Sequence, residues 1–115
     1  MRRKRNKYGN KRKQAGGESF DSGAEGKYYR SLLKAQEQGV ISKIELQPTF
    51  VLQPKFEKNG VKHQAITYKA DFRVTYSDGR VEIVDVKGAE TAMFKLKHKM
   101  FEYCYPDLEL IIKKV

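Results

Sequence analysis

The sequence predicts an α/β domain in which helices cover the faces of a mixed four-stranded sheet. Two segments, near residues 22–38 and 91–104, carry apolar residues at helical spacing. Runs at 65–76 and 80–87 alternate as strands do, and a short apolar run at 108–112 follows the second helix. The order is helix, three strands, helix, strand, so the first three strands can pair antiparallel. The last strand returns through a helix and therefore pairs parallel with the third.

The first helix begins near Ser22 and ends at Gly39. Ser22-Gly-Ala-Glu25 fits a capping box, in which the serine hydroxyl and the glutamate carboxylate satisfy amides of the first turn. Glu25 lies four residues before Tyr29 and seven before Leu32, so it falls on the apolar face of the helix. A carboxylate there must face either solvent at the rim of the core or a cationic partner.

Three predicted strands follow. Residues 40–56 contain Leu-Gln-Pro twice, and because proline donates no ladder hydrogen bond, this strand should lie at an edge, be bulged or break in two. We expect a polar loop at 57–64. The second strand, 65–76, is linked to the third, 80–87, by a hairpin at Ser77-Asp78-Gly79. Alternation places these residues of the second strand on one face: Ile66, Tyr68, Ala70, Phe72, Val74 and Tyr76.

The second helix has a lysine inside its apolar stripe. On the helical wheel Lys97 falls among the apolar residues, so it needs a carboxylate or phosphate partner, or its ammonium must reach solvent at the edge of the core. Lys95 and Lys99 point outward, on a face that is either solvated or in contact with a DNA backbone. The predicted stripe consists of Met93, Leu96, Met100, Phe101 and Cys104.

The net charge of +10 is concentrated at the start of the chain. Residues 1–13 hold eight basic residues and no acid, which leaves a net charge of +2 for the remainder. We therefore divide the chain into a flexible basic arm, 1–17, and a folded domain, 18–115. The arm either neutralises phosphates without reading sequence or only improves solubility. Its candidate DNA-binding residues are Arg2, Arg3, Lys4, Arg5, Lys11, Arg12 and Lys13.

The composition argues against several classes of protein. One cysteine, Cys104, excludes an internal disulfide and a cysteine-rich zinc site. No apolar run approaches the ~20 residues of a membrane span, and the basic start lacks the apolar core of a signal peptide. P-loop, Rossmann and GxSxG patterns are absent, so we expect no nucleotide cofactor. These features predict a soluble, cytoplasmic protein with a polyanionic partner.

The register of the hairpin decides whether two aspartates meet. A two-residue Asp-Gly loop would place Asp71 opposite Val86. The three-residue loop Ser77-Asp78-Gly79, with Gly79 left-handed, places Asp71 opposite Asp85, with β-carbons about 4.5–5.5 Å apart. Two carboxylates at so short a distance repel each other unless a cation lies between them. Hard oxygen ligands suit Mg²⁺ or Mn²⁺.

Three further residues are candidates for the same site. Lys87 lies on the face of Asp85, where an ammonium can orient a water nucleophile and balance charge on a phosphoryl group. Val86 offers its backbone carbonyl as a further metal ligand. Glu25 could add a carboxylate, directly or through water.

Ala70-Asp71, followed at 14 residues by Asp85-Val86-Lys87, resembles the signature of the PD-(D/E)xK nuclease superfamily. The αβββαβ order over residues 20–113 is similar to the restriction-endonuclease-like core of that superfamily. The motifs around Phe20, Leu46 and Gly88 also resemble a branch of small phage and prophage proteins related to Holliday junction resolvases. Position 70 is alanine where the motif has proline, and this residue contributes no chemistry.

This resemblance implies a Mg²⁺-dependent DNA endonuclease, with Mn²⁺ as a substitute ion. It implies that Asp71 and Asp85 are metal ligands, that Lys87 is the catalytic lysine, and that Glu25 has a supporting role. We expect a homodimer that cleaves Holliday junctions or other branched DNA during phage recombination, replication or packaging, in a bacterial or phage-infected cell. The main alternative is a non-catalytic nucleic-acid-binding protein on a decayed nuclease scaffold. A small basic ribosome-associated protein is a third possibility.

Each candidate also has a purely structural interpretation. Asp71 and Asp85 could be surface acids matched by Lys69 and Arg73. Lys87 could be an ordinary strand lysine, and Glu25 could serve only in the capping box. The structure decides some of these alternatives.

Overall fold

The structure is a computed structural model that describes residues 13–15, 18–20 and 23–115. Two helices and ten strands are assigned among these residues. In chain order they are β1 (Lys13–Ala15), β2 (Glu18–Phe20), α1 (Gly23–Glu37), β3 (Ile41–Leu46), β4 (Thr49–Gln53), β5 (Phe56–Lys58), β6 (Val61–His63), β7 (Ile66–Lys69), β8 (Phe72–Tyr76), β9 (Val81–Lys87), α2 (Ala92–Cys104) and β10 (Glu109–Lys114).

The central sheet has four strands in the order β10-β9-β8-β3. Strand β8 is antiparallel to both β3 and β9, whereas β10 is parallel to β9. With α1 before β3 and α2 between β9 and β10, the elements around this sheet follow the order αβββαβ. The predicted α/β fold with a mixed four-stranded sheet is therefore confirmed.

The two helices cover opposite faces of the sheet, because neighbouring residues of a strand point to opposite sides. In β9, Val84 belongs to the core cluster under α1, where Leu32 packs with Phe72. Its neighbour Ile83 belongs to the cluster under α2, where Phe101 packs. The sheet is thus buried on both sides at its centre.

Between residues 40 and 64 one prediction is confirmed and one is wrong. The proline-containing segment breaks into β3, an edge strand, and β4, as predicted, and the break contains Pro48 and Gln47, which has a φ of 51°. The predicted polar loop at 57–64 is wrong, because β5 and β6 form a hairpin around Asn59-Gly60. Asn-Gly is the strongest short hairpin signal, and it was the feature that could have identified these strands.

The predicted single strand over 65–76 is also two strands. β7 pairs with β4, outside the central sheet, and β8 pairs with β3 and β9 within it. As a result Tyr68 packs in the cluster under α2 and Phe72 packs under α1, although strict alternation would put both on one face. The change occurs at Asp71, between the two strands.

The buried face of α2 differs from the predicted apolar stripe. Phe94 and Phe101 are buried, whereas Met93 is 61% exposed and Leu96 is 53% exposed. Cys104 is also exposed, and its thiol donates to the Leu52 carbonyl. Several apolar residues of this helix satisfy helical spacing, and the two phenylalanines, which offer the largest apolar area, take the core positions.

At the start of the chain, α1 begins at Gly23 and is followed by Gly39 with a φ of 83°, the left-handed conformation expected after a helix. The capping role of Ser22 lies outside the described residues.

Lys13–Ala15, within the predicted arm, form β1, which pairs antiparallel with β2. The remaining candidate residues of the arm, Arg2 to Arg12, lie outside the described residues. No helix in the described part of the chain is long and apolar enough to span a membrane.

Candidate functional site

The β8–β9 hairpin brings Asp71 beside Asp85. Gly79 has a φ of 93°, and the amide of Tyr76 donates to the carbonyl of Arg80 over 2.8 Å, which defines a three-residue loop. In the same register Phe72 pairs with Val84. The predicted register is therefore confirmed for β8. Asp71 lies just before β8, and its amide donates to the Val84 carbonyl, so it is a neighbour of Asp85 and not its ladder partner.

Three backbone hydrogen bonds hold the chain on either side of Asp71. The Asp71 amide donates to the Val84 carbonyl over 3.1 Å, and the Asp71 carbonyl accepts from the Gln47 amide over 2.8 Å. The Ala70 amide donates to the Pro48 carbonyl over 3.1 Å. A proline at position 70 has no amide hydrogen and could not make this last bond. The alanine therefore suits the crossing from β7 to β8.

Asp85 is only 2% exposed, and it contacts a tyrosine and a lysine. The hydroxyl of Tyr68 donates to Oδ2 of Asp85. The Nζ atom of Lys87 lies 3.6 Å from Oδ1 of the same carboxylate. Burial and this hydrogen bond both raise the pKa of Tyr68, so the tyrosine stays a neutral donor. Sequence reasoning missed Tyr68, since it treated that residue as ordinary core.

Lys87 is also fixed by α2. Its Nζ lies 4.4 Å from the centre of the Phe94 ring, an attractive cation–π contact. Phe94 is held in the first turn of α2, where its amide donates to the hydroxyl of Thr91, the N-cap residue, over 3.1 Å. The lysine head group is thus positioned from two sides, next to Asp85 and above an aromatic ring.

Asp71 lies between these groups and the first helix. Its Oδ2 accepts a hydrogen bond of 2.7 Å from the Val86 amide. The pKa of Asp71 is raised to about 7. Burial is the largest cause, the Val86 hydrogen bond opposes the rise, and Asp85 adds to it through its charge and through hydrogen bonding between the carboxyls. The charge of Glu25 adds a smaller upward effect. Two close carboxyls that favour a shared proton also favour a shared cation, which neutralises the same repulsion.

Glu25 is placed where the sequence predicted, on the buried face of α1 near its first turn. It is 9% exposed, and its charge reaches Asp71. The structure therefore brings the first helix to the same end of β9 as the aspartates. Glu25 is an electrostatic neighbour of the pair.

The structural alternative for the two aspartates is wrong. Arg73 lies 3.6 Å from Glu45, not beside either aspartate. Lys69 is exposed, and it forms no ion pair with another described residue. Asp85 is a buried carboxylate whose cationic neighbour is Lys87.

The aspartate pair offers oxygen atoms of the kind that hydrated divalent ions bind. Within the described parts of the chain, no three His, Cys, Asp or Glu side chains converge closely enough to hold a metal by themselves. Mg²⁺, however, commonly binds through one or two carboxylates and keeps several waters. The Val86 amide points toward Asp71, and the carbonyl of a strand residue points to the same side as its amide. Asp71, Asp85 and the Val86 carbonyl therefore fit such an ion.

The predicted DNA-contacting lysines of α2 are placed in two environments. Lys95 and Lys99 are exposed, as predicted. Lys97 is half-buried at the edge of the face that carries Phe94 and Phe101, and it forms no ion pair with the other described residues. Of the basic arm, only Lys13 is described, in β1.

One protein family matches nearly the whole chain. A family described as "Protein of unknown function (DUF1064)" matches residues 5–115, all but the first four. No curated protein and no solved structure matches the chain. The family match thus covers the whole site, including both aspartates and the lysine.

Proposed function

We propose that this chain, which belongs to the DUF1064 family, is a metal-dependent DNA endonuclease that hydrolyses phosphodiester bonds. The observation that carries the proposal is the placement of two carboxylates and an ammonium at the end of β9. The carboxyl of Asp71 lies beside that of Asp85, and Nζ of Lys87 lies 3.6 Å from Asp85. The resemblance of these residues to the PD-(D/E)xK signature supports the same chemistry.

The burial of the site supports catalysis over a structural ion pair. A buried carboxylate costs free energy unless it is paired, and here two neighbouring carboxyls are accompanied by one lysine, which contacts Asp85. Burial first, and the neighbouring Asp85 in addition, make the charged form of Asp71 unfavourable in the metal-free fold, as its raised pKa indicates. Groups whose pKa is shifted by burial and by a specific neighbour are typical of functional sites.

Each residue has a defined role in this proposal. Asp71, Asp85 and the Val86 carbonyl would hold Mg²⁺ or Mn²⁺, which would supply Lewis acidity toward the phosphate. Tyr68 fixes the orientation of the Asp85 carboxylate. Lys87, held over Phe94, orients the attacking water and balances charge on the phosphate. Glu25 would act through water near Asp71. The attacking water adds to phosphorus and loses one proton to the surrounding water, the P–O bond to one sugar breaks, and the released oxygen takes up one proton from the surrounding water, so that a phosphate monoester and a hydroxyl are formed.

The partners and setting follow from the same proposal. DNA is the substrate, contacted by the basic arm and by Lys95, Lys97 and Lys99. A homodimer would carry two active sites related by two-fold symmetry, so that two strands could be cut as a pair. This arrangement suits a Holliday junction or another branched substrate in phage recombination, replication or packaging. Such a protein acts in the cytoplasm of a bacterial or phage-infected cell.

A cleavage panel tests the proposal directly. Labelled junction, flap, duplex and single-stranded DNA are incubated with the full chain in Mg²⁺, in Mn²⁺ and in EDTA. We expect cleavage with either metal, none in EDTA, and the highest rate on a branched substrate. Binding without cleavage of any substrate in either metal would contradict the proposal and favour a non-catalytic DNA-binding protein.

A further inference from the structure

The β5–β6 hairpin is the tip of a longer β-ribbon. Near the base of this ribbon, β4 pairs with β7, so that Gln53 pairs with Ile66. At the tip Phe56 pairs with His63, in the register that Gln53 and Ile66 establish. Residues 49–69 therefore form one two-stranded ribbon, interrupted at Pro54 and bulged beside Val51.

The base of the ribbon belongs to the candidate site. Phe50 and Tyr68 are opposite each other, both buried, and the Tyr68 hydroxyl donates to Asp85. From Tyr68 the strand continues to Val61 at the tip, a distance of roughly 20 Å at the rise of an extended strand. The tip thus projects from an anchor that contacts a candidate metal ligand.

The tip itself exposes apolar and aromatic surface. All residues of β5 and β6 are exposed, and the two strands pair only with each other among the described strands. Phe56 is 45% exposed and Val61 is 54% exposed. The ring of Phe56 stacks on His63, with centroids 4.6 Å apart and an angle of 18° between the planes. With period two, this stacked pair shares one face of the ribbon with Val61 and Lys58.

Lysines lie on both faces of the tip, with Lys58 on the aromatic face. The segment 55–64 contains Lys55, Lys58 and Lys62 against a single acid, Glu57. A cavity of about 370 Å³ lies at the tip, lined by Lys55, Phe56, Glu57, Lys62, His63 and Gln64. Cationic side chains flanking an exposed aromatic ring match a polyanion that also carries flat apolar groups, which is the chemistry of DNA.

We propose that the ribbon tip, residues 55–64, is a DNA-contacting wing that enters a groove of the duplex beside the cleavage site. The inference rests on the proposed function in taking DNA as the partner, and it adds residues that the sequence had assigned to a loop. The major groove of B-DNA, about 12 Å wide, accepts a two-stranded β-ribbon. Lys55, Lys58 and Lys62 contact the phosphates on the groove walls, and Phe56 contacts the bases.

Binding is measured by fluorescence anisotropy of a labelled duplex in EDTA, so that cleavage does not interfere. Lys58→Gln/Lys62→Gln should weaken binding and lower the salt slope by about 1.8, because two phosphates are no longer neutralised. Phe56→Ala should weaken binding and leave the slope unchanged, because it removes an apolar contact with base edges but no charge. The matched control, Lys34→Gln/Lys43→Gln, removes two exposed lysines elsewhere and should retain the wild-type affinity.

A third variant removes the tip. Replacing residues 56–63 by Asn-Gly joins Lys55 to Gln64 through a two-residue turn and keeps the register of the base. It should bind DNA more weakly than either point variant while retaining the far-UV circular dichroism of the fold. Wild-type affinity in the Phe56 and double-lysine variants, or wild-type protein that binds no duplex, overturns the wing. Wild-type protein that binds through the tip but cleaves nothing in Mg²⁺ or Mn²⁺ overturns the proposed function and leaves the wing standing.

Discussion

The hydroxyl of Tyr68, at the base of the β-ribbon, donates a hydrogen bond to the buried carboxylate of Asp85 in the central sheet. The two residues belong to different sheets, so this bond joins the ribbon to the candidate site. A hydrogen bond from a neighbouring residue orients a metal ligand and tunes its basicity. Tyr68 is therefore a positioning residue for Asp85.

Tyr68→Phe keeps the ring and removes only this donor. We expect Mg²⁺ affinity or the cleavage rate to fall by about 10–100-fold, the usual effect of removing such a partner. Isothermal titration calorimetry and junction cleavage measure the two effects. Tyr103→Phe is the control, since Tyr103 is 88% exposed. Equal metal affinity and rate in wild type and Tyr68→Phe would remove Tyr68 from the site.

The stability of the metal-free protein should depend on Asp71. Its pKa is raised from 3.8 to about 7, so between these values the folded chain holds a proton that the unfolded chain has released. The free energy of unfolding therefore falls as pH rises through this window, and the contribution is lost above about pH 7. Asp71→Asn should flatten this slope. Urea denaturation in EDTA across the same pH range measures it, and an identical slope in both proteins would contradict the assignment.

The basic arm should contribute affinity without contributing chemistry. Deleting residues 2–12 removes seven cationic side chains and leaves Lys13 in β1. DNA binding should weaken and its salt dependence should become shallower, by about 0.9 in slope for each phosphate that the arm neutralises in the intact chain. Cleavage at saturating protein should persist. If affinity and salt slope are unchanged, the arm acts only as a solubilising tail.

The hairpin register at the site was predictable because it depends on a local feature. The loop Ser77-Asp78-Gly79 ends in a left-handed glycine, which favours the register in which Phe72 pairs with Val84 and Asp71 comes beside Asp85. The αβββαβ order was predictable for a similar reason, since it follows from periodicity and connection rules.

The role of Tyr68 was not predictable from local pattern. Alternation placed Tyr68 and Phe72 on one face, but the chain passes from one sheet to another at Asp71. That transition depends on hydrogen bonds to Gln47 and Pro48, more than twenty residues away. The tertiary contacts that orient Asp85 therefore lie beyond what strand periodicity encodes.

The register of α2 is open to a stability test, because the sequence allowed more than one buried face. Phe101 is fully buried and Leu96 is 53% exposed, although helical spacing offered both to the core. Phe101→Ala should reduce the free energy of unfolding by about 3–5 kcal/mol. Leu96→Ala should change it by about 0.5 kcal/mol or less. Comparable losses of stability from the two substitutions in urea denaturation would show that the helix is rotated from this register.

The last prediction separates the metal ligand from the lysine. Asp85→Asn keeps the shape of the side chain but removes a charge from the ion's coordination, so Mg²⁺ affinity and cleavage should both collapse. In the metal-free protein the same substitution relieves repulsion between Asp85 and Asp71, so the fold should be unharmed or slightly stabilised. Lys87→Met keeps an aliphatic stem over Phe94 and removes only the ammonium. It should abolish turnover and leave Mg²⁺ binding measurable, because the lysine acts on water and phosphate.

Calorimetric Mg²⁺ titration and cleavage of a labelled junction and duplex measure both variants beside the wild type. Both should still bind DNA, since the arm and the lysines of α2 and of the ribbon tip remain. Thermal unfolding in EDTA checks that each variant is folded before its activity is interpreted. Cleavage by Asp85→Asn at the wild-type rate would show that Asp85 is no ligand. Removing an ammonium that acts only on water and phosphate should not change Mg²⁺ affinity. Loss of Mg²⁺ binding in folded Lys87→Met would therefore show that the lysine maintains the metal site.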